Sequence, residues 1–347
     1  MSPRHLWQGR PVIVTDGSSV SMPDTEDNQE IYPQPSGQKE GCGFPVMNFV
    51  ANFNLATGIM LDIRKGNRYV AERVLWRQMW DSYQLGDVAL ADRGFCSLAD
   101  FWLLSQKGVD SVMRLHQARK EHKIIKVFGK NDRLVLWKRS DDGPQWLTPQ
   151  QAENIPQTLV VRHLKVDINI PGFRTKKIIL ATTLLDNKKY PAQALADLYR
   201  RRWMVELFFR NIKTTMKMEV LRCQSTDMIH KELMVFIIAY NLIRSLIWLA
   251  ALKKNINPYR ISFAGVIQTI RQFIPILPIL ATKKQKQLFI KAFMKILATD
   301  IVPIPEEPRR EPRAIKRRPK SYQLLTKPRH EFREIPHREK YRKGDNT

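Results

Sequence analysis

RPVIVTDGSSVSMPDT (residues 10–25) and DVALADRGF (residues 87–95) decide the fold. In the first, an apolar β-branched run enters an Asp-Gly-Ser turn signal, which reads as a strand ending at Asp16. In the second, a short apolar strand stops at Asp92. A carboxylate at a strand end is rigidly held, and here two strands each deliver one.

Outward from these anchors, a loop rich in Pro, Gly, Gln and Ser (residues 30–45) leads into VMNFVANFNLATGIMLDIRKG (residues 46–66), two antiparallel strands with a turn near Ala56 to Gly58. Val70, Val74, Leu75, Met79 and Tyr83 have helical spacing, which predicts a helix over residues 68–83. A helix over 97–106 and a strand at SVMRLH complete a β/α alternation. Residues 117–185 change to short strands and turns and read as a mostly β insertion. Helical text resumes at Pro191 and runs through ALADLYRRRWMVELFFRNIKTT, followed by helices over 228–252 and 283–297. The expected organisation is a first core part (1–116), the insertion (117–185), a second core part (186–255), a helical region (256–302) and a basic, proline-rich tail (303–347).

Composition narrows the function. The 347 residues are 43% hydrophobic and 26% charged, a globular balance. Fifty-eight Lys and Arg against 33 Asp and Glu leave +25, a surplus that calls for a polyanionic partner, nucleic acid first. The start, MSPRHLWQGR, has no apolar signal core, and LMVFIIAYNLIRSLIWLAAL (residues 233–252) is interrupted by Asn241 and Arg244, so a buried helix is expected and no membrane partner. Cys42, Cys96 and Cys223 are too few and too scattered for a disulfide or zinc framework and fit a reducing cytoplasm. The seven histidines show no metal spacing.

Tyr199, Arg202, Glu206 and Lys213 carry the most informative spacing. On a straight helix they fall at about 0°, 300°, 340° and 320°, with Arg210 at about 20°, while Val205, Phe208, Phe209 and Ile212 face the other way. The plainer reading is a solvated face with ion pairs from Glu206 to Arg202 or Arg210. Against it stand Asp16 and Asp92, because three carboxylates converging from two strands and a helix suit a divalent cation.

The ordered set VTDGSSVSMPDT, LADRGF and Y-x2-R-x3-E-x6-K resembles the DDE transposases of the bacterial IS4 family, over about residues 11–252. The resemblance implies an α/β fold: a ribonuclease H-like mixed-sheet catalytic core with a β-rich insertion and a helical C-terminal part. It implies Asp16, Asp92 and Glu206 as ligands of two magnesium ions, with manganese as substitute, in metal-dependent cleavage at element ends and strand transfer by the 3′-hydroxyl. Tyr199, Arg202 and Lys213 would contact phosphates, with Arg210 and Arg114 as further candidates, Arg114 having a surface arginine as its other reading. Some relatives stack a flipped base on a tryptophan of the insertion; Trp137 and Trp146 lie there, with packing as their alternative.

The expected partners are double-stranded DNA, as element ends and target, and a second copy in a synaptic complex, in the bacterial cytoplasm at the nucleoid. The tail would add non-specific DNA affinity or serve solubility alone. Family members carry a helical region before the first aspartate, whereas Asp16 is almost at the start here. That difference raises a second expectation, a truncated non-catalytic transposase acting as a DNA-binding or dimerising regulator. A ribonuclease H-like repair nuclease would share the carboxylates and leave the tyrosine signature unexplained.

Overall fold

The computed structural model describes residues 6–303, apart from 38, 40, 117, 118, 120–122, 141–145 and 168–176, together with residue 331. The basic tail expected from Pro303 therefore lies almost wholly outside the described residues, as do His122, His330 and His337.

One nine-stranded sheet organises the chain, in the order β3-β2-β1-β4-β5-β9-β8-β7-β6. Its core strands are β1 (Val12–Ser21), β2 (Val46–Asn54), β3 (Met60–Gly66), β4 (Val88–Ala91) and β5 (Asp110–Arg114). β1 and β2 are antiparallel, as are β2 and β3, while β1, β4 and β5 run parallel. That order and polarity is the ribonuclease H-like arrangement the sequence led us to expect. The remaining strands, β6 (Lys123–Gly129), β7 (Asp132–Lys138), β8 (Thr158–Asp167) and β9 (Lys177–Thr182), form the β-rich insertion, with a short helix among them, α4 (Pro149–Asn154). They do not fold apart: β9 pairs antiparallel with β5, so insertion and core share one hydrogen-bond ladder.

Helices cover both faces. α5 (Ala192–Arg201), α6 (Met204–Arg210) and α7 (Thr226–Lys254) pack on one face, against Val12, Val14, Val88 and Leu90. On the other face, α2 (Glu72–Arg77) and α3 (Leu98–Gln106) bring Leu75, Trp76 and Phe101 against Ile13, Ala89 and Ala91. Successive strand residues thus serve alternate cores, which is why Val12–Val14 of β1 and all of β4 are apolar without alternation. A short helix, α1 (Glu26–Ile31), follows β1, and α8 (Phe263–Phe273) and α9 (Lys283–Leu297) complete the C-terminal part. α9 has the expected bounds, fixed at its start by a Thr282–Gln285 capping box.

By length and composition α7 could cross a membrane. One of its faces, with Leu233, Ile237, Tyr240 and Ile247, belongs to the core, and Arg244 is buried among Phe208, Tyr240 and Phe263. A cation over aromatic faces keeps favourable electrostatics without water. Val235, Ile238, Leu242 and Leu249 on the opposite side are exposed.

Three expectations need correction. β1 does not end at Asp16 but continues to Ser21, because its antiparallel partner β2 carries the ladder on after β4 has stopped. The helix expected over 68–83 shrinks to Glu72–Arg77 plus a 3-10 turn, Trp80–Ser82. The single helix expected from Pro191 is broken in three: α5 stops at Arg201, i to i+3 bonds tighten the chain around Arg202 and Trp203, and a π-helical turn, Asn211–Thr215, follows α6.

Candidate active site

The parallel pairing of β1 and β4 brings the two aspartates near each other. It runs from Val12↔Val88 to Val14↔Leu90, and Asp16 and Asp92 each stand two residues beyond its last pair, close enough for the charge of Asp92 to raise the Asp16 pKa. Adjacent strands lie about 4.8 Å apart. Both aspartates also share the parity of Val12, Val14, Val88 and Leu90, so they project on the face covered by α5 and α6. Asp16 is a mid-strand residue of β1, yet it stands just past the end of the parallel pairing, where the chain of β4 leaves the sheet.

Two side chains of the broken helix close on this pair. The Tyr199 hydroxyl donates to Asp92 Oδ1 at 3.3 Å, and Arg202 Nη1 lies 3.4 Å from Asp16 Oδ2. Both are buried, each 5% exposed. Arg202 also lies over the Trp203 ring at 4.7 Å, and its Nε is buried with no hydrogen-bond partner. A buried guanidinium N–H left unpaired is costly, and an anionic oxygen is its natural complement.

Burial pushes the Asp16 carboxyl up from 3.8 to about 6; Arg202 and the Gly17 N–H pull it back, while Glu72 and Asp92 add to the rise. The Tyr199 hydroxyl is likewise raised, first by burial, with Arg202 and Arg114 opposing. Arg114, half-buried at the end of β5, is therefore close enough to act on the same pocket.

Glu72 is the residue that sequence reading missed. It begins α2 on the opposite face of the sheet, and its carboxylate lies where a Cβ on Gly17 would be, 2.1 Å from Oε1. Much of its stem is exposed, but the carboxyl end is tucked against Gly17, and desolvation followed by Asp92 raises its pKa. The one available signal was the glycine directly after Asp16, which leaves room for a neighbour to approach.

The other candidates are only partly gathered. Glu206 is exposed on α6, Arg210 is exposed at its end, and Lys213 is half-buried in the π-helical turn. No ion pair joins Glu206 to Arg202 or Arg210 among the described residues, and the carboxylate beside Arg202 is Asp16; buried Tyr199 and Arg202 depart from the solvated-face reading, while exposed Glu206 and Arg210 still fit it. Nor do three metal-ligating side chains come together among the described residues. The Asp16 and Asp92 pair supplies hard oxygen donors suited to a magnesium-type cation. Glu206 stands outside that pair in this conformation.

Trp137 is not available to a base. It is fully buried against Phe101, with its indole N–H donated to His163 Nε2 at 2.8 Å, so packing is its role in this fold. Trp146 stacks under the Arg77 guanidinium at 3.4 Å.

A family model described as "Transposase DDE domain" matches residues 7–242. The transposase InsG for insertion sequence element IS4 of Escherichia coli (strain K12) is 26% identical over 338 residues, covering 94% of this chain and 72% of that protein. Among solved structures, the cryo-EM structure of a piggyBac transposase synaptic complex with hairpin DNA is similar with a TM-score of 0.43 and 10% identity, over 86% of this chain and 60% of that one. The matched span of residues 7–242 takes in both aspartates and all of α5 and α6, the same residues that carry the resemblance in the sequence. This chain belongs to the transposase DDE domain family, among the IS4-type transposases.

Proposed function

We propose that this chain cleaves DNA strands at the ends of an insertion element and transfers the 3′-hydroxyl ends into target DNA. The observation that carries the proposal is the Asp16 and Asp92 pair, placed just past the parallel pairing of β1 and β4 and closed over by Tyr199 and Arg202. Asp16, Asp92 and Glu206 would hold two magnesium ions, or manganese in their place. Such cations supply activation of the attacking hydroxyl and neutralisation of the leaving oxygen.

The chain's own residues do the placing. Tyr199 fixes the orientation of Asp92 through its hydroxyl. The unpaired Nε of Arg202 donates to a non-bridging phosphate oxygen, which relieves its own burial and holds the phosphodiester beside Asp16. Arg114, Lys213 and Arg210 supply further positive charge around the same DNA strand. Glu206 reaches the pair by a shift of α6, which lies between the tight turn at Arg202 and the π-helical turn after Arg210. The exposed stripe Val235, Ile238, Leu242 and Leu249 supports pairing with a second copy in the synaptic complex, with the chain acting where bacterial DNA is, at the nucleoid.

The test is magnesium- or manganese-dependent nicking and strand transfer on a duplex carrying the source element's terminal repeats, wild type against Glu206→Ala. Cleavage that vanishes in the variant with binding retained is the expected result. Equal cleavage by both proteins removes Glu206 from the metal set, and binding without cleavage by the wild type leaves the regulator reading.

A further inference from the structure

On the α2 side of the sheet, a cavity of about 610 Å³ is lined by Arg73, Arg93, Arg119, Lys138 and Arg139, and no carboxylate is among its lining residues. These cations come from α2, the turn after β4, the segment after β5, and the end of β7 in the insertion. A smaller cavity beside it shares Arg119, Lys138 and Arg139. Like charges gathered in a concave site repel one another, and a fold tolerates them where an anion is to be bound.

The cleft is anchored as a site by Arg119. Its guanidinium lies 4.4 Å over the ring of buried Trp137, and no ion pair holds it among the described residues. Burial lowers its pKa, and the neighbour that opposes this is Cys96, whose thiol burial pushes up to about 12 and so leaves uncharged at neutral pH. Trp137, packed in the core, is thus also the ring on which this cation lies. Arg139 is also fixed, by Nη1 donating to the carbonyls of Ala152 and Ile155 at 2.9 and 3.0 Å.

The chain links the cleft to the carboxylate pair. Arg93 follows Asp92 directly, and Arg73 follows Glu72, the residue tucked against Gly17. We propose that this cleft binds the phosphodiester backbone of the DNA segment that runs on from the cleavage point, across the face of the sheet opposite α5 and α6. The proposal rests on the reading of Asp16 and Asp92 as the reacting centre. Three sources present the same backbone: the element end, the flanking donor DNA and the target duplex.

The experiment is fluorescence-anisotropy binding of the full chain across a salt series. Three duplexes serve as probes: a terminal repeat cut flush, the same repeat with a flanking extension, and a duplex of unrelated sequence. Arg73 and Lys138 are exposed, so Arg73→Gln/Lys138→Gln spares the fold. Losing two phosphate contacts lowers the slope of log K against log salt by about 1.8 and weakens binding about thirtyfold at 0.15 M salt. Lys253→Gln/Lys254→Gln, at the far end of α7, removes the same charge and controls for a field effect.

A loss specific to the cleft variant supports the proposal, and the probe on which it appears names the source. An unchanged slope on all three probes overturns it, as does an equal loss in the α7 control. Asp92→Asn is run in parallel with a cleavage readout: it abolishes cleavage with its salt slope intact if the carboxylate reading is right, so the two ideas fail separately.

Discussion

Asn at position 16 should make the metal-free protein more stable, and only above acidic pH. Asp16 is 26% exposed at its side chain and its carboxyl titrates near 6 in the fold against 3.8 ordinarily. At about 1.4 kcal/mol per tenfold, holding the ionised form in the fold costs about 3 kcal/mol at pH 7.5. The attraction of Arg202 is already inside that figure, since it acts on the same titration. The sign follows from proton counting. Between about pH 4 and 6 the folded state keeps a proton that the unfolded chain has lost, so stability falls as pH rises through that window, and the full cost is present above it. Asp16→Asn mimics the protonated form. In EDTA its thermal midpoint should lie about 5 °C above wild type at pH 7.5 and level with it at pH 3.5. Millimolar magnesium should narrow the gap from the wild-type side, because a ligand that binds only the folded protein stabilises it. A variant that is less stable at pH 7.5, or equally shifted at both pH values, refutes the reasoning.

Four further outcomes follow from particular contacts. Tyr199→Phe keeps the buried ring and loses the donation to Asp92, so single-turnover cleavage should fall about tenfold with little change in melting temperature. Gly17→Ala forces the Glu72 carboxylate aside and should destabilise by about 1–3 kcal/mol; in a Glu72→Ala background most of that cost should vanish, as a double-mutant cycle in urea would read. Arg162 is fully buried and bidentate to Asp132, so Arg162→Met should cost about 3–5 kcal/mol in urea melts, with partial recovery when Asp132→Asn is added. Trp137→Phe removes the bond to His163 and should lower stability by about 1 kcal/mol while cleavage of bound DNA proceeds normally; a cleavage defect with unchanged stability would return Trp137 to base stacking.

Asp92 was legible as a strand end because a strand that stops is a local event, written in an apolar run and the turn residue after it; Asp16 was singled out by the same signal, although β1 does not stop there. The extent of β1 was not legible, since its last residues are held by β2, whose pairing is a long-range matter. Of the side chains in the spacing from Tyr199 to Lys213, the fold brings Tyr199 and Arg202 to the aspartates. A straight-helix projection could not show the tightening at Arg202 or the π-helical turn after Arg210, and so it brought Glu206 nearer to the aspartates than the fold does. Trp137 was undecidable in the sequence, because a tryptophan in a strand reads alike whether its partner is a base or Phe101. Glu72 and the basic cleft were invisible for a different reason. Their residues are scattered from position 72 to 139 and become neighbours only when α2 and the insertion lie on the same side of the sheet.

The unbroken ladder from β5 through β9 to β6 makes the insertion an outgrowth of an edge rather than a guest inside a loop. An edge can be lengthened or trimmed a strand at a time while everything inboard keeps its bonds. Variation among relatives should therefore concentrate at β6, the freest to be lost, replaced or decorated, whereas β7 is tied inboard by Asp132 to Arg162 and by Trp137 to His163. β9 is the keel, since among the described strands it is the one that pairs the outgrowth with β5 and with Arg114 beside the pocket. On the reading proposed above, that geometry lets the insertion change its grip on DNA without rebuilding the carboxylate pair.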